Sequence, residues 1–435
     1  MQVQLGAVTI VVIEGHYGKV GLDNRTNLSN RLARSVLRGV DSGVDSGDVV
    51  AGGPLERRLL LLSDIPGVAV SSTLSPGAAV GSSDLNVVLT PGPRFSGEID
   101  GDNAGSPYSG AYRLGGTLNI NDPTGHGDQL SLRALSSFDG LYYGRAAYQL
   151  RLQDATVGVS YAALGYRLHG AFASLQAHGT AEVASVFASY PLVRSYDNNL
   201  ELVGDFDYRT FQDKEDAVGS LTDKAEYALG IGISGDHHDS FGGGGWNRYS
   251  LGYTFGQLDL RTPSDRLLDQ ATAHANGGYG KLSYSLSRLQ TVYGPFSVYG
   301  LIRGQFASKN LDISEKMELG GAYAVRAYAE GEIYGDDGYV ATLEARLLLP
   351  PPPQPIPGRL QLFAFFDTGA VKANHSPWLP GPNRQSGSGA GVGVDWTASN
   401  NFVVRAAYAH TVGEAKGIPG PISHGRAWVQ LVKFF

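Results

Sequence analysis

The stretch "NLELVGDFDYR", from Asn199 to Arg209, alternates between two kinds of side chain almost residue by residue. One set of alternate positions is Leu200, Leu202, Gly204, Phe206 and Tyr208; the other is Glu201, Val203, Asp205, Asp207 and Arg209. Successive side chains of a β-strand point to opposite faces of the sheet. The stretch is therefore predicted to be a strand with one apolar, aromatic face and one largely charged face.

The same alternation recurs from about Pro93 to the end of the chain, in about sixteen segments of roughly ten residues each. Short connections such as Ala398–Asn401 and Pro350–Gly358 alternate with long ones such as Lys309–Asp336. A soluble β-sandwich can also alternate, with its apolar face in a core. The even number of segments, their length and the two kinds of connection favour a membrane barrel. We expect a mostly β fold in which residues 93–435 form a 16-stranded antiparallel transmembrane β-barrel.

Composition excludes several classes of protein. The 435-residue chain has a formal net charge of −7, so it lacks the basic footprint of a nucleic-acid-binding protein. It contains no cysteine, which excludes disulfides, thiolate metal ligands and cysteine nucleophiles. Its most apolar run, Ala7–Ile13, is far shorter than the roughly 18 residues of a transmembrane helix.

Two short motifs point only weakly to a chemical site. "GDHHD" (Gly235–Asp239) has metal-binding residue types, but the predicted topology brings no further ligands to it. "SGSGAGVG" (Ser386–Gly393) resembles a phosphate-binding loop, yet no helix follows it, and its glycines are better explained by strand curvature or close approach. No Ser-His-Asp arrangement or ATP motif stands out. We expect no catalytic residues, no metal site and no cofactor.

Residues 1–92 have the pattern of a small α/β domain. A strand is predicted up to Gly15, followed by a helix with apolar residues at helical spacing (Leu28, Leu32, Val36). A second helix is predicted to begin at Pro54. Two further strands, "VAVSSTL" and "DLNVVLT", lie on either side of a Pro-Gly turn. The predicted order is β-α-α-β-β.

Short motifs in both parts of the chain resemble those of one known family. They are "VIEG" (Val12–Gly15), "DIPG" (Asp64–Gly67), "LSPG" (Leu74–Gly77), "YPLVRS" (Tyr190–Ser195), "VRAY" (Val325–Tyr328) and "FFDTG" (Phe365–Gly369). In this order and on this number of strands, the chain resembles the outer-membrane transporters of two-partner secretion, the haemolysin secretion and activation family. That family shares a superfamily with the barrel-assembly insertases.

The resemblance implies periplasmic POTRA domains followed by a sixteen-stranded barrel, and residues 1–92 look like the second POTRA domain. The family's signal peptide, plug helix and first POTRA domain have no counterpart in the chain, so we expect a mature or shortened form. Ala327 stands where the family's VRGY motif has glycine.

Counting strands gives the VRAY motif a location. With the N-terminal domain in the periplasm, residues 308–336 form the sixth extracellular loop, which the resemblance implies folds into the lumen. A buried guanidinium needs a carboxylate partner. Strand alternation turns Asp367 inward as the candidate, while Glu344, Asp205 and Asp207 also face inward and compete. The expected loop latch is Val325, Arg326, Tyr328, Phe365, Asp367 and Gly369.

The N-terminal domain offers a way to bind a client. An extended peptide can add a strand to the exposed edge of a small sheet through backbone hydrogen bonds. The predicted edge residues are Val68, Val70 and Thr73, with the first strand near Thr9–Ile13 as the alternative. Leu32 and Val36 either line a groove for client side chains or belong to the domain's own core, which is favoured.

These features predict a transporter that secretes a large partner exoprotein bearing an N-terminal secretion domain, whether an adhesin, a cytolysin or a contact-dependent toxin. A monomeric barrel is expected in outer-membrane lipid, with the POTRA domain in the periplasm. One alternative is an assembly factor that inserts other barrels through a seam between its first and last strands. A diffusion porin is another, but its N-terminal domain would be hard to explain.

Overall fold

A computed structural model describes residues 2–4, 7–9, 15–38, 49–351, 358–398, 400–413 and 425–435. These residues form a small N-terminal domain and a closed β-barrel. Within them, no helix has both the length and the apolar character that crossing a membrane requires.

The N-terminal domain packs two helices against a three-stranded sheet. Its elements are β1 (Gln2–Gln4), β2 (Ala7–Thr9), β3 (His16–Asn24), α1 (Asn30–Val36), α2 (Gly52–Ser63), β4 (Val68–Pro76) and β5 (Ser82–Pro91). The sheet order is β3-β5-β4, with β3 parallel and β4 antiparallel to β5. Strand β4 therefore lies at an edge, and among the described residues it pairs only with β5.

The predicted position of the first strand is wrong. Thr9 belongs to the separate β1-β2 hairpin, residues 10–14 lie outside the described part of the chain, and the sheet begins instead at His16. A register shift between Tyr17 and Val20 interrupts the alternation of β3. That irregularity conceals the strand from a search for strict alternation.

The interior of this domain is filled by leucines and valines. Val36, Leu61 and Leu62 from the helices meet Val87 and Leu89 of β5, all of them with no measurable exposure. Leu32 is partly buried and packs against the same cluster. A client groove at Val36 is thus excluded, because the domain's own core surrounds that side chain.

Sixteen antiparallel strands close into a barrel, which confirms the predicted fold class. The strands are β6 (Phe95–Asp102), β7 (Arg113–Asn121), β8 (Gln129–Ser136), β9 (Leu141–Leu152), β10 (Ala155–Arg167), β11 (Ala177–Arg194), β12 (Asn198–Glu215), β13 (Ser220–Asp239), β14 (Gly245–Leu260), β15 (Gly277–Tyr293), β16 (Phe296–Ala307), β19 (Asp337–Leu348), β20 (Arg359–Lys372), β21 (Arg384–Ala398), β22 (Phe402–Thr411) and β23 (Gly425–Phe434). The last strand, β23, pairs with the first, β6, and closes the ring.

Several strands are much longer than the predicted ten residues. Strands β11 and β12 have 18 residues each and β13 has 20. A tilted strand needs only about 9–11 residues to cross the bilayer core. The additional residues, including the polar stretch Asp213–Asp216 at and just beyond the end of β12, extend the sheet past the apolar band.

Alternation along the barrel strands gives the two faces that the sequence predicts. On β20, Leu362 and Phe366 are each 42% exposed on the outer surface, whereas Phe363, Phe365 and Asp367 are at most 5% exposed. The outer face is apolar, and the inner face carries the ionisable side chains.

The connections differ in length at the two ends of the barrel. Most connections are short at the end that contacts the N-terminal domain, called the domain end, and the longest loops lie at the far end. One of these contains helix α3 (Pro263–Ala271). Residues 308–336, called the lumen loop, join the eleventh barrel strand, β16, to the twelfth, β19. They include the short hairpin of β17 (Met317–Glu318) and β18 (Tyr334–Gly335).

Candidate functional site

The tip of the lumen loop lies inside the barrel, where Arg326 meets Asp367 on β20. Nε and Nη2 of Arg326 each donate a hydrogen bond of 2.8 Å to a different oxygen of Asp367, and its backbone N–H donates another at 3.2 Å. Arg326 is 6% exposed and Asp367 is fully buried. A bidentate pair of this kind fixes both the position and the orientation of the guanidinium.

Glu344 on β19 is a second partner of the same arginine. Nη1 of Arg326 donates to Glu344 at 2.8 Å, and Arg346 and Arg405 also bind this carboxylate, at 2.6 and 3.2 Å. Glu344, one of the three carboxylates that the sequence offers as alternatives to Asp367, therefore binds Arg326 together with Asp367. Asp207 instead binds Arg209 on its own strand.

Aromatic side chains hold the tip from two further directions. The guanidinium of Arg326 lies 3.4 Å from the centre of the Phe365 ring, a cation–π contact. Trp428 on β23 donates its indole N–H to the backbone oxygen of Arg326 at 2.7 Å. The sequence analysis does not identify Trp428 as part of this site. Strand alternation could have done so, because it puts Trp428 on the inner face when its neighbour Val429 is exposed on the outer face.

The other residues of the predicted latch lie at the same place. Val325 and Tyr328 are buried beside Phe365 in one apolar cluster with Leu319. Gly369 makes room for the loop, because a Cβ there would come within 2.5 Å of the Leu319 side chain. The structure thus brings all six residues of the predicted set together.

A row of glycines on β21 lies against the loop tip and against two aromatic side chains of β20. The row consists of Gly387, Gly389, Gly391 and Gly393. A Cβ at each would lie 2.5 Å or less from, respectively, the rings or methyl of Tyr328, Ala327, Phe365 and Phe363. The glycines of "SGSGAGVG" therefore permit close approach, as the sequence indicated.

A second set of contacts joins the N-terminal domain to the domain end of the barrel. Arg194 on β11 binds Asp64 with two hydrogen bonds, of 2.7 and 2.9 Å. Arg58 of α2 pairs with Asp154 in a turn at 2.9 Å. The "DIPG" and "YPLVRS" motifs are thus in direct contact, which the sequence did not predict because 130 positions separate the paired residues.

The "GDHHD" segment ends β13 near the domain end. Asp239 pairs with Arg288 at 2.7 Å and His238 stacks on Trp246, so both side chains have protein partners. In the described part of the chain, no three His, Cys, Asp or Glu residues are grouped so that they could hold a metal ion.

With this geometry defined, comparison with known proteins assigns the chain to a family. Residues 81–395 match the family model for the haemolysin secretion/activation proteins ShlB, FhaC and HecB. The chain belongs to the haemolysin secretion/activation family. The family consists of two-partner secretion transporters, and its membership together with the barrel fold indicates an outer-membrane location.

Relatives match across most of the chain. The heme/hemopexin transporter protein HuxB of Haemophilus influenzae strain 86-028NP is 29% identical over 448 residues, covering 100% of this chain and 76% of the relative. The outer membrane transporter CdiB of Dickeya dadantii is 23% identical, covering 77% of this chain and 59% of the relative.

Solved structures show the same fold. CdiB from Escherichia coli superposes with a TM-score of 0.78 at 19% identity, covering 97% of this chain and 77% of that one. BamA from Haemophilus ducreyi, solved without its POTRA domains 1–3, gives a TM-score of 0.62 at 11% identity, covering 97% of this chain and 85% of that one. The small N-terminal sheet and helices of this haemolysin secretion/activation protein are consistent with a POTRA-like domain.

Ala327, where the VRGY motif of the haemolysin secretion/activation family has glycine, fits its position without backbone strain. Its φ is not positive, so the turn does not demand glycine. The side chain is 1% exposed and its Cβ points at Gly389. The methyl group is accommodated because the facing residue lacks a Cβ.

Proposed function

We propose that this transporter secretes a large partner exoprotein through its barrel lumen, and that the lumen loop, held by Arg326, closes the path until the client displaces it. The observation that carries this proposal is the position of the loop tip inside a closed barrel. Ion pairs and packing hold the tip there, and both can break and re-form.

The edge strand β4 supports a route for the client into the barrel. Gly67, just before β4, lies against Asn121 at the end of β7, so β4 starts at the barrel mouth. Its nine residues extend about 30 Å from that point. Along the edge Val68 is buried, Val70 is partly buried, and Ser71 to Pro76 are exposed. A client strand that adds to β4 would be aligned with the pore entrance.

This route places the N-terminal domain in the periplasm, where an unfolded client arrives after crossing the inner membrane. The client is proposed to carry an N-terminal secretion domain that pairs with β4. Because HuxB, a relative that matches over this whole chain, is named a heme/hemopexin transporter, heme and hemopexin are the first ligands to test on the secreted partner.

Proline substitutions at the edge test the proposal. Successive N–H groups of an edge strand point alternately to the paired strand and to solvent. Of Ser72→Pro and Thr73→Pro, one therefore removes a hydrogen bond to β5 and the other blocks only an incoming strand. We expect the variant that retains the stability of the unmodified protein to lose export of the co-expressed exoprotein.

Export is measured as exoprotein in the medium, and folding as the thermal unfolding midpoint of the purified transporter. Val80→Pro, at a 96% exposed position outside the sheet, is the matched control and should export normally. If Ser72→Pro and Thr73→Pro both fold and export like the unmodified protein, capture by strand addition at β4 is refuted.

A further inference from the structure

The lumen loop has a second attachment to the barrel, at its root. Glu315, 4% exposed, forms ion pairs with Arg209 on β12 and Lys281 on β15. Three residues earlier, Asp312 pairs with Lys224 on β13 at 3.1 Å. These contacts, called the root clamp, lie on strands that take no part in the Arg326 latch.

Buried groups around the root clamp keep its charges in place. Arg209 also binds Asp207 at 2.7 Å and lies 3.6 Å from the fully buried Glu226. Tyr279 on β15 donates its hydroxyl to Glu226. Since unpaired buried charges are costly, this arrangement strongly favours the loop root in its observed place.

The two attachments use different sets of barrel strands. The root clamp involves β12, β13 and β15, the seventh, eighth and tenth barrel strands, whereas the tip contacts β19, β20 and β23, the twelfth, thirteenth and sixteenth. The loop therefore contacts one group of strands through the root clamp and another through its tip.

Further contacts hold the root of the loop. The β17-β18 hairpin pairs the two chain segments of the loop that lead to and from the tip. Asp336, fully buried, binds Lys316 at 2.9 Å and accepts from the backbone N–H of Leu311 at 3.1 Å. Gln305 on β16 donates to the backbone oxygens of Glu315 and Asp336, at 2.9 and 3.1 Å.

We infer that Glu315 is a positioning residue for transport: the root clamp holds the base of the loop in place while the tip alone swings out of the path. Eleven positions separate Glu315 from Arg326, and the β17-β18 hairpin lies between the clamp and the tip. Release of Arg326 therefore does not require release of Glu315. The clamp returns the tip to Asp367 after each passage, which restores the closed lumen.

This inference rests on the proposed function, and reversible cross-linking tests it separately. Because the chain contains no native cysteine, cysteine pairs can be introduced cleanly. Lys281→Cys with Glu315→Cys bridges the root, and Arg326→Cys with Asp367→Cys bridges the tip, each pair being joined by a short bis-thiosulfonate linker that forms a reducible disulfide with each cysteine and releases sulfinate. Asp259→Cys with Arg266→Cys, at an ion pair that is 48% and 45% exposed, is the matched control.

Two readouts are followed: exoprotein export and the fraction of time that single channels spend in a high-conductance state. Without linker, the root pair should raise the high-conductance fraction about tenfold, the change that 1.4 kcal/mol produces in a two-state equilibrium. With linker, the root pair should return to the unmodified fraction and export normally. The linked tip pair should export nothing until the linker is reduced.

The outcomes separate the two ideas. If the linked root pair blocks export as completely as the linked tip pair, the whole loop must leave and the root clamp is not a fixed base. An unlinked root pair with the conductance of the unmodified protein would likewise overturn the role of Glu315. Undiminished export by the linked tip pair would instead refute the proposed latch and leave the root measurement interpretable through conductance.

Discussion

The glycine row on β21 allows a quantitative test of how tightly the loop tip is seated. A Cβ added at Gly389 would lie 2.5 Å from the Cβ of Ala327, so one of the two segments must shift. Overpacking of this kind costs about 1–3 kcal/mol. Because each 1.4 kcal/mol changes a two-state population tenfold, Gly389→Ala should raise the displaced-tip fraction by about 5- to 150-fold.

The same contact provides its own rescue. Ala327→Gly removes the methyl group that collides with the Cβ added at Gly389. The next contacts of that added Cβ are with backbone atoms of His410 and Ala327, at 3.3 and 3.4 Å. The double variant Gly389→Ala with Ala327→Gly should therefore regain most of the lost closure. Ala327→Gly alone should stay close to the unmodified protein, since glycine is the residue of the VRGY motif.

The assay is single-channel recording of purified protein in planar bilayers, with the thermal unfolding midpoint measured in parallel. Gly300→Ala is the matched control, because a Cβ at this barrel-strand glycine meets no atom within 4 Å. If Gly389→Ala gives the channel record of Gly300→Ala, or if Ala327→Gly fails to reverse its effect, the tip is not seated against β21 as described.

Two further predictions concern the ion pairs. Arg326→Ala leaves Asp367 buried without its main partner and should destabilise the closed loop by about 3–5 kcal/mol, whereas Arg326→Lys keeps the charge and loses the bidentate geometry. In channel recordings, the open fraction should be highest for Arg326→Ala, lower for Arg326→Lys and lowest for the unmodified protein. Equal open fractions would contradict the latch. Asp64→Ala breaks the ion pair with Arg194, whose side chains are 32% and 24% exposed, and should cost at most about 1 kcal/mol of stability. Spin labels on the N-terminal domain and the barrel should nevertheless report a broader distance distribution, which the exchange Asp64→Arg with Arg194→Asp should narrow again. An unchanged distribution in Asp64→Ala would show that the pair does not orient the domain.

Much of the barrel was predictable because alternation is a local property. The sequence alone predicts which face of the sheet Leu362, Phe363 and Phe366 occupy, since successive side chains of a strand point to opposite faces. Asp367 was predictable as the partner of Arg326 for a different reason, which is the resemblance of both motifs to one family. Composition and periodicity alone left Glu344, Asp205 and Asp207 as equal candidates.

Contacts between distant segments could not be predicted in this way. Asp64 meets Arg194 and Glu315 meets Lys281 only because closure of the barrel and docking of the domain bring them together. No local pattern marks such residues, since a carboxylate in a polar loop has the same sequence signature whether it is solvated or buried. The first sheet strand was misplaced for a related reason, because the irregularity at Tyr17 and Val20 is resolved only by pairing with β5.

The proposed displacement of the loop gives a physical reason for holding it with charged groups. An apolar tip leaving the cluster around Phe365 exposes surface to water at a cost of about 25 cal/mol per Å². In the proposed open state a guanidinium and two carboxylates would instead be hydrated, which would offset much of the lost attraction. The loop tip gains its geometry from Asp367 and Glu344 and its packing from Phe365, whereas water would stabilise the charged groups in the proposed open state. A latch built in this way can be specific when closed without making opening prohibitively costly.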